Sequence, residues 1–397
     1  MPKQSKKISA EDRLAKATII GSASLEVRTT PHVETHQISI DAHERVLAAL
    51  RLSIEDGHLQ LTIPTANELT RGATWKAEVA KRTAELKSEG MVLFPQRRAQ
   101  HRLRKEIKQA LAEPATITAK FPHQTELTAH VGGPISTEGA FTDLDLSTSD
   151  GSITSSGDYQ TANLTTDNGF IALDAIPPGA VVEATTKQGN IHTQLIGGMA
   201  KLTLNARGEV TTGNVSWGAT VEVQATEAIE MHRLAPRSSV QARTLNGRAK
   251  FGNIDEGAYL DAKTADGEIK VGRIGTDAKA HLEAGKGLIT VGRSAAGAFV
   301  QAATGHGTVK LSDVAATAYI DARTSFGDVT LTSVLGGGWV EAKHGDVSFT
   351  MASPFEQLTL SALSTGHEVR GSVVGGREVQ NRVNVHAGTD KVSRSLG

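Results

Sequence analysis

The stretch Ala258–Ile274, AYLDAKTADGEIKVGRI, decides the fold. It holds an alternating run, a turn at Asp266-Gly267, a second alternating run and a small-residue corner. The figure recurs about every 20 residues. Turn residues stand at Gly151, Gly169, Gly189, Gly208, Ala228, Gly247, Gly267, Gly287, Gly307, Gly327, Gly345 and Gly366, spaced 18 to 21 apart. A fixed short period marks a repeat array. Two positions after the turn come apolar residues such as Ile191, Val210, Ile269 and Val329; seven before it come Val182, Val240, Leu260 and Ile320; three before it, threonines such as Thr244, Thr264 and Thr324. Period-2 alternation places these on one dry face. Glu183, Asp261, Asp321, Arg243, Lys263 and Arg323 fall between them, on a wet face.

The turns Asp150-Gly151, Asn168-Gly169, Asn246-Gly247 and Asp266-Gly267 suggest glycine supplying a positive φ, which alone would fit an antiparallel meander. A 20-residue unit is too short for a propeller blade, and equivalent positions in successive units are chemically alike. The expected fold is therefore all-β: a β-solenoid or β-roll of coils stacked in register, with an inserted α-helical segment. The unit at Ala228 lacks glycine and is the most divergent.

The 397 residues include 40 Gly, 4% aromatics and no Cys, which suits tight turns and a thin core and excludes a disulfide framework or thiolate metal site. Net charge is −1, so the whole chain carries no bias toward nucleic acid or membrane. No apolar run reaches the roughly 18–20 residues of a membrane span. The basic start lacks an apolar signal core, so a cytoplasmic location is expected, with surface association left open.

Residues 1–18 are expected as a flexible tail and 19–65 as a first β segment, including VLAALRLSIED and a turn at Asp56-Gly57. Residues 66–111 break the pattern: Trp75, Val79 and Leu86, then Leu103, Ile107 and Leu111, fall at helical spacing. Between Arg71 and Lys108 there are 11 Lys/Arg against 4 Asp/Glu, the sharpest charge asymmetry in the chain. The repeat array occupies 112–371, and a strand and tail occupy 372–397.

The segments LSTSDGSI (146–153), LTTDNGFI (164–171), ARTLNGRA (242–249), AKTADGEI (262–269) and ARTSFGDV (322–329) resemble the bacterial putative-adhesin β-strand-repeat family, family 4097 among domains of unknown function. SLEVRTT, GHLQLTIP, a basic interruption and ATITAKFP are similar to its actinobacterial members. The resemblance covers about residues 20–370. It implies a repeat architecture and an adhesin-like role, and carries over no catalytic residue; the helical insertion departs from plainer members.

There is no HExxH, GxxxxGK[ST] or G-x-S-x-G motif. Gly285-Lys286-Gly287 and Gly305-His306-Gly307 precede strands rather than helices, which favours plain turns over phosphate cradles. His306 and His344 stand two coils apart, too far to share a metal. Glu183, Asp261 and Asp321 are offset by several coils and interleaved with cations, unlike the paired acids of glycosidases. The expectation is a non-catalytic scaffold or interaction protein with no cofactor, metal or small-molecule substrate, engaging a protein partner or itself through repeated faces. A second reading is an anionic surface, nucleic acid or membrane, bound through residues 71–108 by Arg97, Arg98, Arg102, Arg104, Lys105 and Lys108. A carbohydrate-active β-helix enzyme is a third.

Overall fold

In the strand Tyr259–Asp266 the side chains of Leu260, Ala262 and Thr264 point inward, and Asp261 and Lys263 point out. Its partners are the strands one coil before and after, Ser239–Asn246 and Lys279–Lys286, and both pairings are parallel and in register. The strand after the turn, Ile269–Ile274, likewise pairs in parallel with Arg248–Ile254 and Ile289–Ser294. Each coil thus gives one strand to each of two parallel sheets. This is a β-solenoid; the antiparallel meander is overturned, because neighbours in the ladder are alternate strands in the chain.

The computed structural model describes residues 4–10, 16–21, 23–30, 36–42, 44–55, 58–64, 66–70, 73–88, 95–112, 115–352, 359–364, 369–374, 382–387 and 392–396. The turns expected at Asp56-Gly57 and Gly366 lie outside these residues, as do the side chains of Trp75, Leu86, Ile107, Lys108 and Leu111. The chain divides into two compact units, Met1–Ala172 and Leu173–Gly397.

In the second unit the core is a set of rows. Val182, Leu202, Val221, Val240, Leu260, Ala280, Val300 and Ile320 form one; Ile191, Val210, Ile229, Ala249, Ile269, Ile289, Val309 and Val329 form another. The two dry faces meet each other, so half of each strand is buried and the core stays one layer of side chains thick on each sheet. Parallel pairing continues through Arg382–Ala387 and Val392–Leu396, in the stretch where the sequence suggested one strand and a tail.

The turn glycines have a different cause from the one expected. Gly151, Gly169, Gly208, Gly247 and Gly345 lie outside the left-handed region; Gly267, Gly287, Gly307 and Gly327 have φ of +150°, +130°, +155° and +133°. What the ladder shares is crowding. A Cβ on Gly267 would stand 2.0 Å from the Gly247 carbonyl oxygen, and one on Gly307 would stand 1.8 Å from that of Gly287. Glycine is there because successive turns stack backbone on backbone. The divergent repeat is also displaced by one: Ala228 is the register partner of Arg248, so Glu227 fills the glycine position, and a Cβ on Gly247 would stand 1.3 Å from its carbonyl oxygen.

The threonine three before the turn acts in the same joint. Thr324 donates its hydroxyl to the Gly307 carbonyl at 3.0 Å, Thr304 to that of Gly287 at 3.4 Å, and Thr264 to that of Gly247 at 3.4 Å. The opposite corner is a four-residue turn, such as Ala258 N–H to the Asp255 carbonyl at 3.2 Å, whose third residue is left-handed. Gly179, Gly218, Gly257 and Gly297 hold that position in four coils, and Met199, Arg237, Asp277 and Thr317 hold it in four others.

The first unit begins differently. Within 1–18, Gln4–Ala10 forms a strand antiparallel to His36–Ala42, which is antiparallel to Ala115–Pro122. Arg51–Glu55 is antiparallel to His58–Thr62. VLAALRLSIED is not one strand: Glu44–Ala48 is a short helix and only Arg51–Glu55 is extended. Helices Ala66–Leu69, Ala73–Ser88 and Pro95–Ala112 follow, then parallel strands resume.

Candidate functional site

The outward positions of the first sheet form rows set by the register. Asp261, His281, Gln301, Asp321 and Trp339 are successive partners, as are Lys263, Glu283, Ala303, Arg323 and Glu341. Opposite charges neutralise both along and between these rows. Lys263 Nζ meets Glu283 at 2.7 Å, and Arg323 holds Asp321 through two hydrogen bonds of 2.6 and 3.0 Å. Those bonds raise the Arg323 pKa and lower that of Glu283. Asp261 and Asp321 stand three coils apart, about 14 Å at ~4.8 Å per coil, and Glu183 lies four coils from Asp261 in the same row. The structure does not bring these acids together as a catalytic pair.

Aromatic residues bound this face on both sides. Phe299 and Tyr319 stack at 5.4 Å with planes 7° apart. Phe326 lies between His306 and His344, 4.7 Å from each ring and nearly parallel to both. Phe299, Tyr319 and Phe326 are 38%, 46% and 48% exposed. Small residues, Ala303, Gly305 and Ser325, lie between the two rows. The two histidines are thus separated by a phenyl ring, and among the described residues no group of three or more His, Asp or Glu could hold a metal. Single-residue reasoning passed over these aromatics. Superposing the repeats would have found them, since Tyr259, Phe299 and Tyr319 recur at one outward position.

In the first unit, Ala99 and Leu103 of helix Pro95–Ala112 are fully buried, and Val79 of the neighbouring helix is only 6% exposed. Arg97, Arg98, Arg102, Arg104 and Lys105 are exposed. Arg98, Arg102 and Lys105 share one helical face through i, i+4, i+7 spacing. Among the described residues no helix is long and apolar enough to cross a membrane.

Fold and surface together define the class: a parallel β-solenoid repeat protein whose outward rows carry aromatics and neutralised charge. No family model matches the chain, and no curated protein matches it. Similar solved structures include a putative adhesin from Bacteroides fragilis, with 11% identity, a TM-score of 0.31, and coverage of 68% of this chain and 97% of that one. A putative lipid binding protein from Parabacteroides distasonis has 9% identity and a TM-score of 0.25, covering 93% and 96%. A putative cell adhesion protein from Clostridium sporogenes has 8% identity and a TM-score of 0.22, covering 69% and 100%. Likeness at this level says nothing of ligand or partner.

Proposed function

We propose that the chain is a non-catalytic interaction protein presenting repeated β faces to a protein or surface partner, with self-association as one form of that role. The observation that carries this is the exposed aromatic rows Phe299–Tyr319 and His306–Phe326–His344. Aromatics are enriched where interfaces form, because a rigid ring buries much area at small entropic cost. Here they lie beside the pairs Lys263–Glu283 and Arg323–Asp321, whose charges are met within the chain. Membership of the β-strand-repeat family, in its actinobacterial form, belongs to the same proposal; the repeat segments quoted above support it.

A second reading rests on the exposed cationic face of Arg98, Arg102 and Lys105, which suits an anionic surface. One assay separates the two: retention of the purified chain on intact bacterial cells, with light scattering on the eluted protein. The variant Phe299→Ser/Tyr319→Ser/Phe326→Ser is expected to lose retention about tenfold or more, with little dependence on salt. Retention equal to the native chain sinks the first reading. Binding that collapses with salt and with Arg102→Glu favours the second.

A further inference from the structure

One place in the second unit breaks the repetition. The first-sheet strands Val181–Thr186, Lys201–Ala206 and Thr220–Ala225 have 6 residues, whereas Ser239–Asn246 has 8. The extra length makes a step beside the three shorter strand ends. Along it runs an open groove of about 710 Å³.

Its lining is chemically one-sided. Asn205, Gln224 and Arg243 are register partners in three successive coils and form the floor. Lys187 and Arg207 directly follow the partnered strand ends Thr186 and Ala206 and flank one side. Leu245, 55% exposed, adds an apolar patch. No Asp or Glu lines the groove. Acids stand at its margin: Glu222 accepts a hydrogen bond from Gln224 at 3.4 Å, Glu227 follows the lining residue Thr226, and Glu283 feels the Arg243 charge. Arg207 and Arg243 make no ion pair among the described residues. Arg233, Arg293 and Arg323 each have a carboxylate within 4 Å; what distinguishes Arg207 and Arg243 is that both line one groove.

We propose that this groove binds an acidic oligosaccharide. Arg207 and Arg243 would take its carboxylate or sulfate groups, since guanidinium forks match planar anions. The amides of Asn205 and Gln224 both donate and accept, as sugar hydroxyls do, and Leu245 supplies an apolar surface for the face of a ring. A nucleic acid fits less well: no aromatic lines the groove to stack a base. The groove floor belongs to the same outward row as Lys263 and Glu283, but Arg243 stands three coils before the strand of Phe299, so the groove shares no residue with the aromatic rows. Its failure would leave the display reading standing, and the reverse also holds.

The test is calorimetric titration of the full chain, at low salt, with four probes: an oligogalacturonate tetramer, its methyl ester, a heparin-derived tetrasaccharide and tetraglutamate. At least one acidic saccharide is expected to bind more tightly than both the neutral ester and the peptide. Arg207→Ala/Arg243→Ala should weaken that binding by at least about tenfold, because each substitution removes a charge-assisted hydrogen bond to the ligand. Both residues are exposed, so the variant should fold; a circular dichroism melt checks this. Arg248→Ala, on the other sheet, should change nothing. The proposal is overturned if neither acidic saccharide binds, if ester or tetraglutamate binds as tightly, or if the double variant is unaffected.

Discussion

Gly307 and Thr324 are the two halves of one joint between coils. The glycine turn sits so close on the turn below that a Cβ would meet the Gly287 carbonyl oxygen at 1.8 Å, and Thr324 satisfies the Gly307 carbonyl from above. Gly307→Ala adds a backbone clash to a φ of +155°, and should cost at least about 2 kcal/mol. Thr324→Val keeps the shape and removes only the donor, so it should cost about 1 kcal/mol. Chemical denaturation of both variants checks the order; a harmless Gly307→Ala would show that the coils are free to separate at this turn. Charge acts more weakly here. Lys250 holds the Glu230 carboxyl, and Lys263 that of Glu283, below its ordinary value of 4.5 by hydrogen bonding. A carboxylate depressed by folding contributes stability above its unfolded value, and that contribution is lost as pH falls through the folded one. The melting temperature should therefore decline from about pH 5 toward pH 3, and Glu230→Gln/Glu283→Gln should flatten part of that decline. Both pairs are open to solvent, so the effect at neutral pH should be small. Parallel pH profiles for native and variant chains would rule the pairs out as its source.

At the scale of the strand, most of the architecture was legible in residues such as Leu260, Thr264 and Ile269, because a solenoid repeats its dry-face positions at a fixed interval. Pairing direction was not legible from the turns. Asp266-Gly267 looks like a hairpin loop, and only the stacking of Gly267 on Gly247 distinguishes a coil corner from a hairpin. The displaced repeat at Glu227 was misplaced by one for the same reason: glycine marked the turn where stacking, not φ, set the need. The first β segment was harder, since VLAALRLSIED carries enough apolar residues to pass for a strand while Glu44–Ala48 is helical. Of the surfaces, the basic helix stood out by charge count alone. The aromatic rows and the groove did not, because each is made by register: Phe299 reaches Tyr319, and Asn205 reaches Arg243 through Gln224, only once coils 19 or 20 residues apart are laid side by side.

At the scale of the molecule, a solenoid must prevent its ends from adding further coils, because an unpaired strand edge templates association. One candidate for this role is the helical insertion, residues 66–111. The first unit offers another. Gln4–Ala10 and Arg51–Glu55 each pair antiparallel at the outside of a sheet and have no second strand partner among the described residues. Arg51–Glu55 runs against the coils and presents the wrong hydrogen-bond pattern to an incoming parallel one, whereas Gln4–Ala10 covers the edge of the reversed strand His36–Ala42 and itself runs with the coils. Gln4–Ala10 also carries Lys6 and Lys7, charges of the kind that discourage edge pairing. The helices, by contrast, bury their apolar residues Val79, Ala99 and Leu103 while keeping their cations exposed. Light scattering coupled to size exclusion separates the two candidates. Replacing residues 66–111 by a short Gly-Ser linker should leave the association state of the chain unchanged. Removing residues 1–10, which uncovers the edge of His36–Ala42, should raise the apparent mass as concentration increases. Polymerisation of the linker variant alone would reverse the assignment: the helices would then be the cap, and their cationic face would be the outward side of that cap rather than a docking surface.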